Sequence, residues 1–324
     1  MLEKEIFTIT SSEEFEQLAL QVFRYQHQHT SVYHEFCNFL KIEPSRIQTI
    51  LDIPFLPIQF FKSHRVISKE VSETMTFISS GTTGSTTSKH LVADLNLYKK
   101  SFSQAFQENY GDPSNYVILA LLPSYLERED SSLIYMVDHL IKDSHNPNSG
   151  FYLDNMSALI EKLKQQEEMG QKTILLGVSY ALLDLIELQS FNLKNTTIIE
   201  TGGMKGRRKE LVKVELHQIL KKGFGVSRIH SEYGMTELLS QAYSKGNGIF
   251  TTSSWMKILT RDPEDALSFN QGKTGGINVI DLANLYSCSF IATQDLGKTY
   301  SDASFEIIGR FDISDIRGCN LMMV

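Results

Sequence analysis

Cysteine is scarce in this chain of 324 residues: Cys37, Cys288 and Cys319 are an odd number with no close spacing. That pattern excludes a disulfide framework and a zinc ribbon, and a reducing compartment is the expectation. Long hydrophobic runs are also missing. The longest, Tyr116 to Leu122, stops at Pro123, far short of the ~20 residues that a membrane-spanning helix needs. The first residues, Met1-Leu-Glu-Lys-Glu-Ile-Phe, hold no basic segment leading into an apolar one. No secretory signal is therefore expected, and the chain reads as cytoplasmic. Basic charge is in deficit, with 31 Lys and Arg against 38 Asp and Glu for a net charge of -7. That is the opposite of the basic face of a dedicated nucleic-acid binder, so no nucleic acid is expected as a partner. Finally, the glycine- and hydroxyl-rich stretch Ser79–Ser88 is not followed by Gly-Lys-Ser/Thr at the Walker A spacing, which sets aside the P-loop kinases and NTPases.

What remains is an ordinary globular composition, 41% hydrophobic and 21% charged. The length fits two domains or one large α/β domain. Ser11-x-x-Glu14 is a capping box, and Phe15, Leu18, Ala19, Val22 and Phe23 follow at helical spacing. A second helical piece is expected from Tyr25 to Leu40, and Pro44, Pro54 and Pro57 then punctuate an irregular segment anchored by Phe60 and Phe61. Residues 1–75 thus read as a helical N-terminal cap rather than part of a sheet. In 76–245 the texture changes. Val117–Leu122, Thr173–Val178 and Thr196–Glu200 are short apolar runs, separated by helix-like stretches at Ser131–Ile141, Ser157–Gln166, Ala181–Leu188 and Arg207–Lys222. Strand alternating with helix predicts βαβ units and a mostly parallel sheet. In 246–324, Gly275–Ile280, Ser289–Thr293 and Phe305–Ile308 predict a β-rich subdomain that ends in a cysteine-containing tail. The three segments are equally compatible with one continuous domain.

Three stretches have the makings of chemistry. Ser79–Ser88 reads SSGTTGSTTS. Glycines allow close backbone approach, and loop N–H groups with hydroxyls can wrap phosphate oxygens, with Lys89 as a nearby counter-charge. His230-Ser-Glu-Tyr-Gly-Met-Thr-Glu237 offers Tyr233 for stacking and Glu237 as a hard ligand for Mg²⁺. Ala292-Thr-Gln-Asp-Leu-Gly297 and Gly309-Arg-Phe-Asp312 offer Asp295, read as the end of a strand, for ribose hydroxyls and Arg310 for phosphate. Taken singly each has a plain reading: a polar loop, a turn into a helix, a charged loop, and in His230 a satisfied, partly buried histidine.

Taken together and in this order, these stretches resemble the core motifs of the adenylate-forming superfamily, which includes acyl-CoA synthetases, peptide-synthetase adenylation domains and firefly luciferase. Ile53-Pro-Phe-Leu-Pro-Ile-Gln-Phe-Phe-Lys62, Glu200-Thr-Gly-Gly-Met-Lys205, His230–Glu237 and Asp315-Ile-Arg-Gly-Cys-Asn320 look most like the acyl-protein synthetase of the bacterial luminescence fatty-acid reductase system, over nearly the whole chain. The phenylacetate-CoA ligase group is the next nearest. The resemblance implies an α/β adenylate-forming domain, with ATP and Mg²⁺ as cofactors. Ser79, Ser80, Gly81, Thr82, Thr83 and Gly84 would cradle phosphates. Gly202 and Gly203 would lie against adenine, with Tyr233 and Gly234 at the ring. Thr236 and Glu237 would hold the α-phosphate and the metal, Asp295 the ribose hydroxyls, and Arg310 the ribose or phosphate. A carboxylic acid, in this family a fatty acid, would become an acyl adenylate, and the acyl group would pass to Cys319 and on to a reductase partner.

The chain stops without the small lysine-bearing C-terminal domain usual in the superfamily, so that domain is expected to be absent. Lys205 and Lys89 are the candidates to replace its cation, and His230 is a further catalytic candidate. Two other readings stay open. One is an acyl- or aryl-CoA ligase with coenzyme A as acceptor and Cys319 as a small buried apolar residue. The other is a silent nucleotide- or acyl-binding subunit.

Overall fold

A computed structural model describes residues 2–80, 86–123, 128–203, 208, 211–265, 267–270 and 272–311. The chain divides into two compact units. One is the central segment Glu73–Ser253, and the other joins the segment up to Ser72 with the described residues from Ser254 onward.

The central unit is built on five parallel strands. In spatial order they are Gly150–Phe151, Val117–Leu121, Thr173–Val178, Thr196–Thr201 and His230–Tyr233. Two antiparallel strands, Ala242–Ser244 and Ile249–Thr252, extend the sheet beyond His230–Tyr233. Every residue of Val117–Leu121 and Thr173–Val178 is buried. Strands covered on both faces need apolar side chains on both, which is why these runs do not alternate. Helices Leu95–Tyr110, Ser132–Asp143, Met156–Glu168, Ser179–Leu188 and Lys213–Phe224 supply that cover. The last of these starts six residues later than Arg207, where the sequence pattern places it. A separate hairpin pairs Met75–Ile78 with Lys89–Val92.

The second unit starts with the helix Ser12–His29. Ser11 Oγ accepts from the Glu14 N–H at 3.1 Å, the expected half of the capping box. The reciprocal bond lands one residue earlier, with Glu14 Oε2 accepting from the Thr10 N–H at 2.7 Å. The predicted break at Tyr25 is absent. The helix runs on to His29, extended Thr30 ends it, and Ser31–Phe39 forms the next helix. Buried Gln26 ties it to the far end of the sequence, donating to the Asn284 and Leu285 carbonyls at 3.0 and 2.8 Å and accepting from the Ser289 N–H at 2.9 Å. Strands Met256–Arg261, Gly275–Asp281, Phe290–Thr299 and Phe305–Arg310 form an antiparallel meander.

The reading of the first segment as lying outside any sheet is corrected here. Leu56–Pro57 pairs in parallel with Ile291–Ala292, the Pro57 ring sitting at the end of a two-residue strand where its missing N–H is tolerated. Trp255, fully buried, packs edge-on against Phe7 at 5.0 Å between ring centres.

Gly297 shows what the Asp-Leu-Gly sequence is for. The register between Phe290–Thr299 and Phe305–Arg310 shifts at Leu296/Gly297, and a Cβ on Gly297 would lie 2.2 Å from the Glu306 carbonyl oxygen. The glycine is required by close backbone approach at a bulge. Gly297→Ala is expected to destabilise the protein by about 1–3 kcal/mol, since neighbouring backbone must move to admit the methyl. Urea unfolding would measure this, and a change below ~0.5 kcal/mol would show that the bulge relaxes freely.

Candidate functional site

In the central unit the candidate residues gather at one end of the parallel sheet. Thr196–Thr201 runs directly into Gly202 and Gly203, both exposed, and its neighbour His230–Tyr233 runs into Gly234, Thr236 and Glu237. Both turns leave the carboxyl ends of adjacent parallel strands, the edge where open α/β sheets bind ligands. Gly202 has φ +68°, a conformation that costs other residues strain and leaves the backbone bare.

The expectation that Tyr-Gly-x-Thr-Glu turns into a helix is not met. The segment is a strand followed by turns, because Leu238, Leu239, Ser240, Gln241 and Ala242 are all buried and lead straight into the next strand. Tyr233 is half-buried with its ring edge-on to Phe250 at 6.0 Å. The Thr236 carbonyl accepts a hydrogen bond from Nδ1 of fully buried His90 at 2.8 Å. His90 thereby positions the Thr236–Glu237 turn from the Lys89–Val92 strand. No motif flagged it, since a lone histidine inside KHLV carries no spacing signal.

Ser79 and Ser80 lie at the end of the Met75–Ile78 strand. The Ser79 N–H donates to the Ser88 carbonyl at 3.0 Å, and Ser79 Oγ accepts from the Ser88 N–H at 2.8 Å. The Ser79 hydroxyl oxygen therefore clasps the base of the loop, while Ser80 stays exposed. Lys89 is exposed, paired across the hairpin with Ile78. Gly81, Thr82, Thr83, Gly84, Lys205 and Cys319 lie outside the described residues.

His230 is half-buried, with Nδ1 3.3 Å from the Tyr110 hydroxyl. Burial, aided by the charges of Lys245 and Arg228, pulls its pKa down to about 4, so the ring is neutral at pH 7.

Two buried glutamates beside these turns were not among the sequence candidates. Glu200 precedes the glycine turn by two residues. It meets Lys213 Nζ at 2.6 Å, His217 Nε2 at 3.3 Å and the Ser179 hydroxyl at 3.1 Å. Burial pushes its pKa upward, but the hydrogen bonds from His217 and Lys213 and the Lys213 charge prevail and bring it down to about 2. Ser179 Oγ also lies 3.2 Å from the Gly202 carbonyl, so this network holds the glycine turn. Glu232 stands next to Tyr233. It accepts from the Thr201 hydroxyl, and the Lys213 charge acts on it only as a lesser influence. Burial, offset in part by Thr201 and reinforced by the Glu200 charge, raises it to about 7. Both residues sit inside stretches already quoted as motifs, but only their burial and partners reveal them.

In the second unit Asp295 and Arg310 stand opposite each other across the Phe290–Thr299 and Phe305–Arg310 pair, with Arg310 Nε 3.2 Å from Asp295 Oδ1. Asp295 lies mid-strand, not at a strand end. The strand continues to Thr299 because the bulge at Gly297 lets the ladder resume. Its carboxyl group is buried while Arg310 is 76% exposed. Arg261, missed in the sequence, lies beneath them and donates to the Ile277 and Thr293 carbonyls at 2.8 and 2.5 Å. Its own pKa falls to about 10 through burial, partly offset by Asp295.

This architecture is that of the adenylate-forming ligases. The chain superposes on 2-hydroxyisobutyryl-CoA ligase in the postadenylation state with R3-HIB-AMP with a TM-score of 0.69 at 12% identity, covering 95% of this chain and 70% of that one. It also matches ATP-bound MatB from Rhodopseudomonas palustris, with a TM-score of 0.55 at 16% identity over 72% of this chain, and spans about half (47%) of the MatB chain. The family is narrower: the model of the acyl-protein synthetase family LuxE matches residues 8–324, and the chain belongs to that family. No curated protein matches it significantly. Among the described residues no helix is long and apolar enough to cross a membrane.

Proposed function

We propose that this protein activates a carboxylic acid with ATP and carries the acyl group as a thioester on its own Cys319. The observation that carries the reading is the pair of turns, Gly202–Gly203 and Tyr233–Glu237, at the carboxyl ends of adjacent parallel strands in a chain of the acyl-protein synthetase family. A carboxylate is a poor electrophile. Its oxygen attacks the α-phosphorus of ATP, pyrophosphate departs, and the acyl carbon then bears AMP as a good leaving group. The Cys319 thiolate attacks that carbon and AMP leaves, giving the thioester.

The residues fit this chemistry. Exposed Gly202 and Gly203 leave backbone free for the adenine, and half-exposed Tyr233 offers a ring face. Thr236 holds the α-phosphate. Ser80 and the Gly81–Gly84 loop serve the outer phosphates, and Asp295 with Arg310 the ribose. Glu237 is the one metal ligand assigned. The described residues contain no cluster of three or more His, Cys, Asp or Glu side chains able to hold an ion. A single carboxylate suits Mg²⁺, which takes one or two carboxylates and completes its shell with phosphate oxygens and water. The metal supplies neutralisation of charge building on the phosphates. Lys205 is the adenylation cation, and Lys89, exposed on its strand, is the alternative. Neutral His230, held by Tyr110, is suited to orienting rather than to proton transfer at pH 7. The substrate is a fatty acid in the family pattern, and the onward acceptor is a reductase.

The test is intact-protein mass after incubation with Mg-ATP and mixed carboxylic acids without coenzyme A. A hydroxylamine-sensitive acyl adduct on wild type, lost in Cys319→Ser while ATP–pyrophosphate exchange persists, is the expected result. An adduct that survives Cys319→Ser, or acyl-CoA made by that variant, would overturn the role of Cys319.

A further inference from the structure

The face of the sheet beneath the two candidate turns is unusually polar for a buried surface. Glu232 stands directly across from Tyr243 in the antiparallel register, so both side chains share one face. Gln241 belongs to the same face: a Cβ on Gly234 would lie 3.4 Å from Gln241 Cγ and 2.5 Å from Glu232 Oε1. Tyr110 closes over the group from the helix Leu95–Tyr110, its ring edge-on to Tyr243 at 5.5 Å. Glu232, Gln241 and Tyr243 are 7%, 5% and 2% exposed.

Their hydrogen bonding is incomplete. Thr201 satisfies Glu232 Oε2, and Tyr110 faces His230. The Tyr243 hydroxyl and Gln241 Oε1, both fully buried, have no partner among the described residues. Buried polar atoms are nearly always paired, and two orphans on one face beside a site call for a ligand or bound water. One orphan is an acceptor, and the other can donate. Glu232, whose carboxyl group is raised to about 7 by burial, can do either. A carboxylate brings acceptors only and would face Glu232, and an ammonium brings donors only. A neutral hydroxyl donates and accepts, and so completes the set.

We infer that Glu232, Gln241 and Tyr243 form a polar subsite that receives a hydroxyl group carried by the acid substrate, so that the preferred acid is a hydroxylated one rather than a plain hydrocarbon acid. The inference rests on the acid-activation reading above. The group lies within one residue of both turns, Thr201 beside Gly202 and Glu232 beside Tyr233. That places it beside the two turns to which the activation chemistry is assigned above. A site built to bond a substrate hydroxyl rejects the analogue that lacks it strongly, because its own buried groups are then left unpaired.

The experiment is calorimetric titration of wild type, Tyr243→Phe and Glu232→Gln with matched acids: octanoate against 3-hydroxyoctanoate and 8-hydroxyoctanoate, and phenylacetate against 4-hydroxyphenylacetate. ATP–pyrophosphate exchange is run in parallel. In at least one pair, wild type should bind the hydroxylated acid at least tenfold more tightly. Tyr243→Phe should bring that ratio to near one, and Glu232→Gln, which keeps a donor and an acceptor, should retain part of it. No binding of any acid, equal binding within every pair, or a preference that survives Tyr243→Phe would overturn the subsite. Hydroxyl-selective binding with no exchange by any acid would instead reject the adenylation reading and leave the subsite standing.

Discussion

Glu200→Ala is expected to lower the unfolding free energy by about 3–5 kcal/mol at pH 7, the cost of stranding the partners of a buried ion pair. The side chain of Glu200 is 2% exposed, with Lys213 Nζ at 2.6 Å and His217 Nε2 at 3.3 Å. The pH dependence follows from the pKa of about 2 in the folded state. A depressed carboxyl contributes stability that is fully present above the unfolded value of about 4.3 and is lost as pH falls toward the folded value. A shift of this size corresponds to about 3 kcal/mol. Wild type should therefore lose this increment between pH 5 and pH 2, and Glu200→Gln, which keeps the shape without the titration, should not. Urea midpoints of the three proteins at pH 7, 4 and 2.5 would measure both effects. A wild-type advantage below 1 kcal/mol at pH 7, or one that does not shrink in acid, would show that Lys213 and His217 are satisfied without Glu200. The variant also tests the site, because Ser179 bridges Glu200 and the Gly202 carbonyl.

Glu237→Gln should reduce ATP–pyrophosphate exchange by about two to three orders of magnitude, on the scale of removing one preorganised electrostatic contact to a charge-developing phosphoryl group. It should also raise the Mg²⁺ concentration needed for half-maximal exchange. The substitution keeps shape and volume at a buried position, and the His90 bond to the Thr236 carbonyl holds the turn from outside. The unfolding midpoint should therefore change little. Exchange within a few-fold of wild type at saturating Mg²⁺ would remove Glu237 from the metal site.

Elements were legible where both faces are buried by apolar neighbours. VILAL at Val117–Leu121 and TILLGV at Thr173–Val178 announce themselves as strands because no charged residue is needed on either side. His230–Tyr233, HSEY, and Ala242–Ser244, AYS, do not. Their polar groups are buried against one another, so periodicity cannot distinguish them from loop. The helix Leu95–Tyr110 passed unread for a related reason. Its buried positions include Ser101, bonded to Ser240 at 3.0 Å, which weakens the apolar stripe.

The site divides in the same way. Gly202, Gly203, Tyr233, Thr236, Glu237, Asp295 and Arg310 were named from the sequence, several of them only through the family resemblance, because the motifs that carry it are short and local. Glu200, Glu232, His90, Gln241, Tyr243 and Arg261 did not, since each acquires its role only from a partner distant in the chain. Composition and local order by themselves determined the α/β class, three of the core strands and the position of the two turns, because burial of apolar runs and backbone freedom at glycine are local properties. Tertiary structure alone decided that the two ends of the chain join in one unit and that Asp295 lies mid-strand against Arg310. It also decided that one buried glutamate is held ionised while another, 32 residues on, is held near neutrality. Charge state depends on which groups surround a carboxyl in space, and no spacing along the chain carries that information.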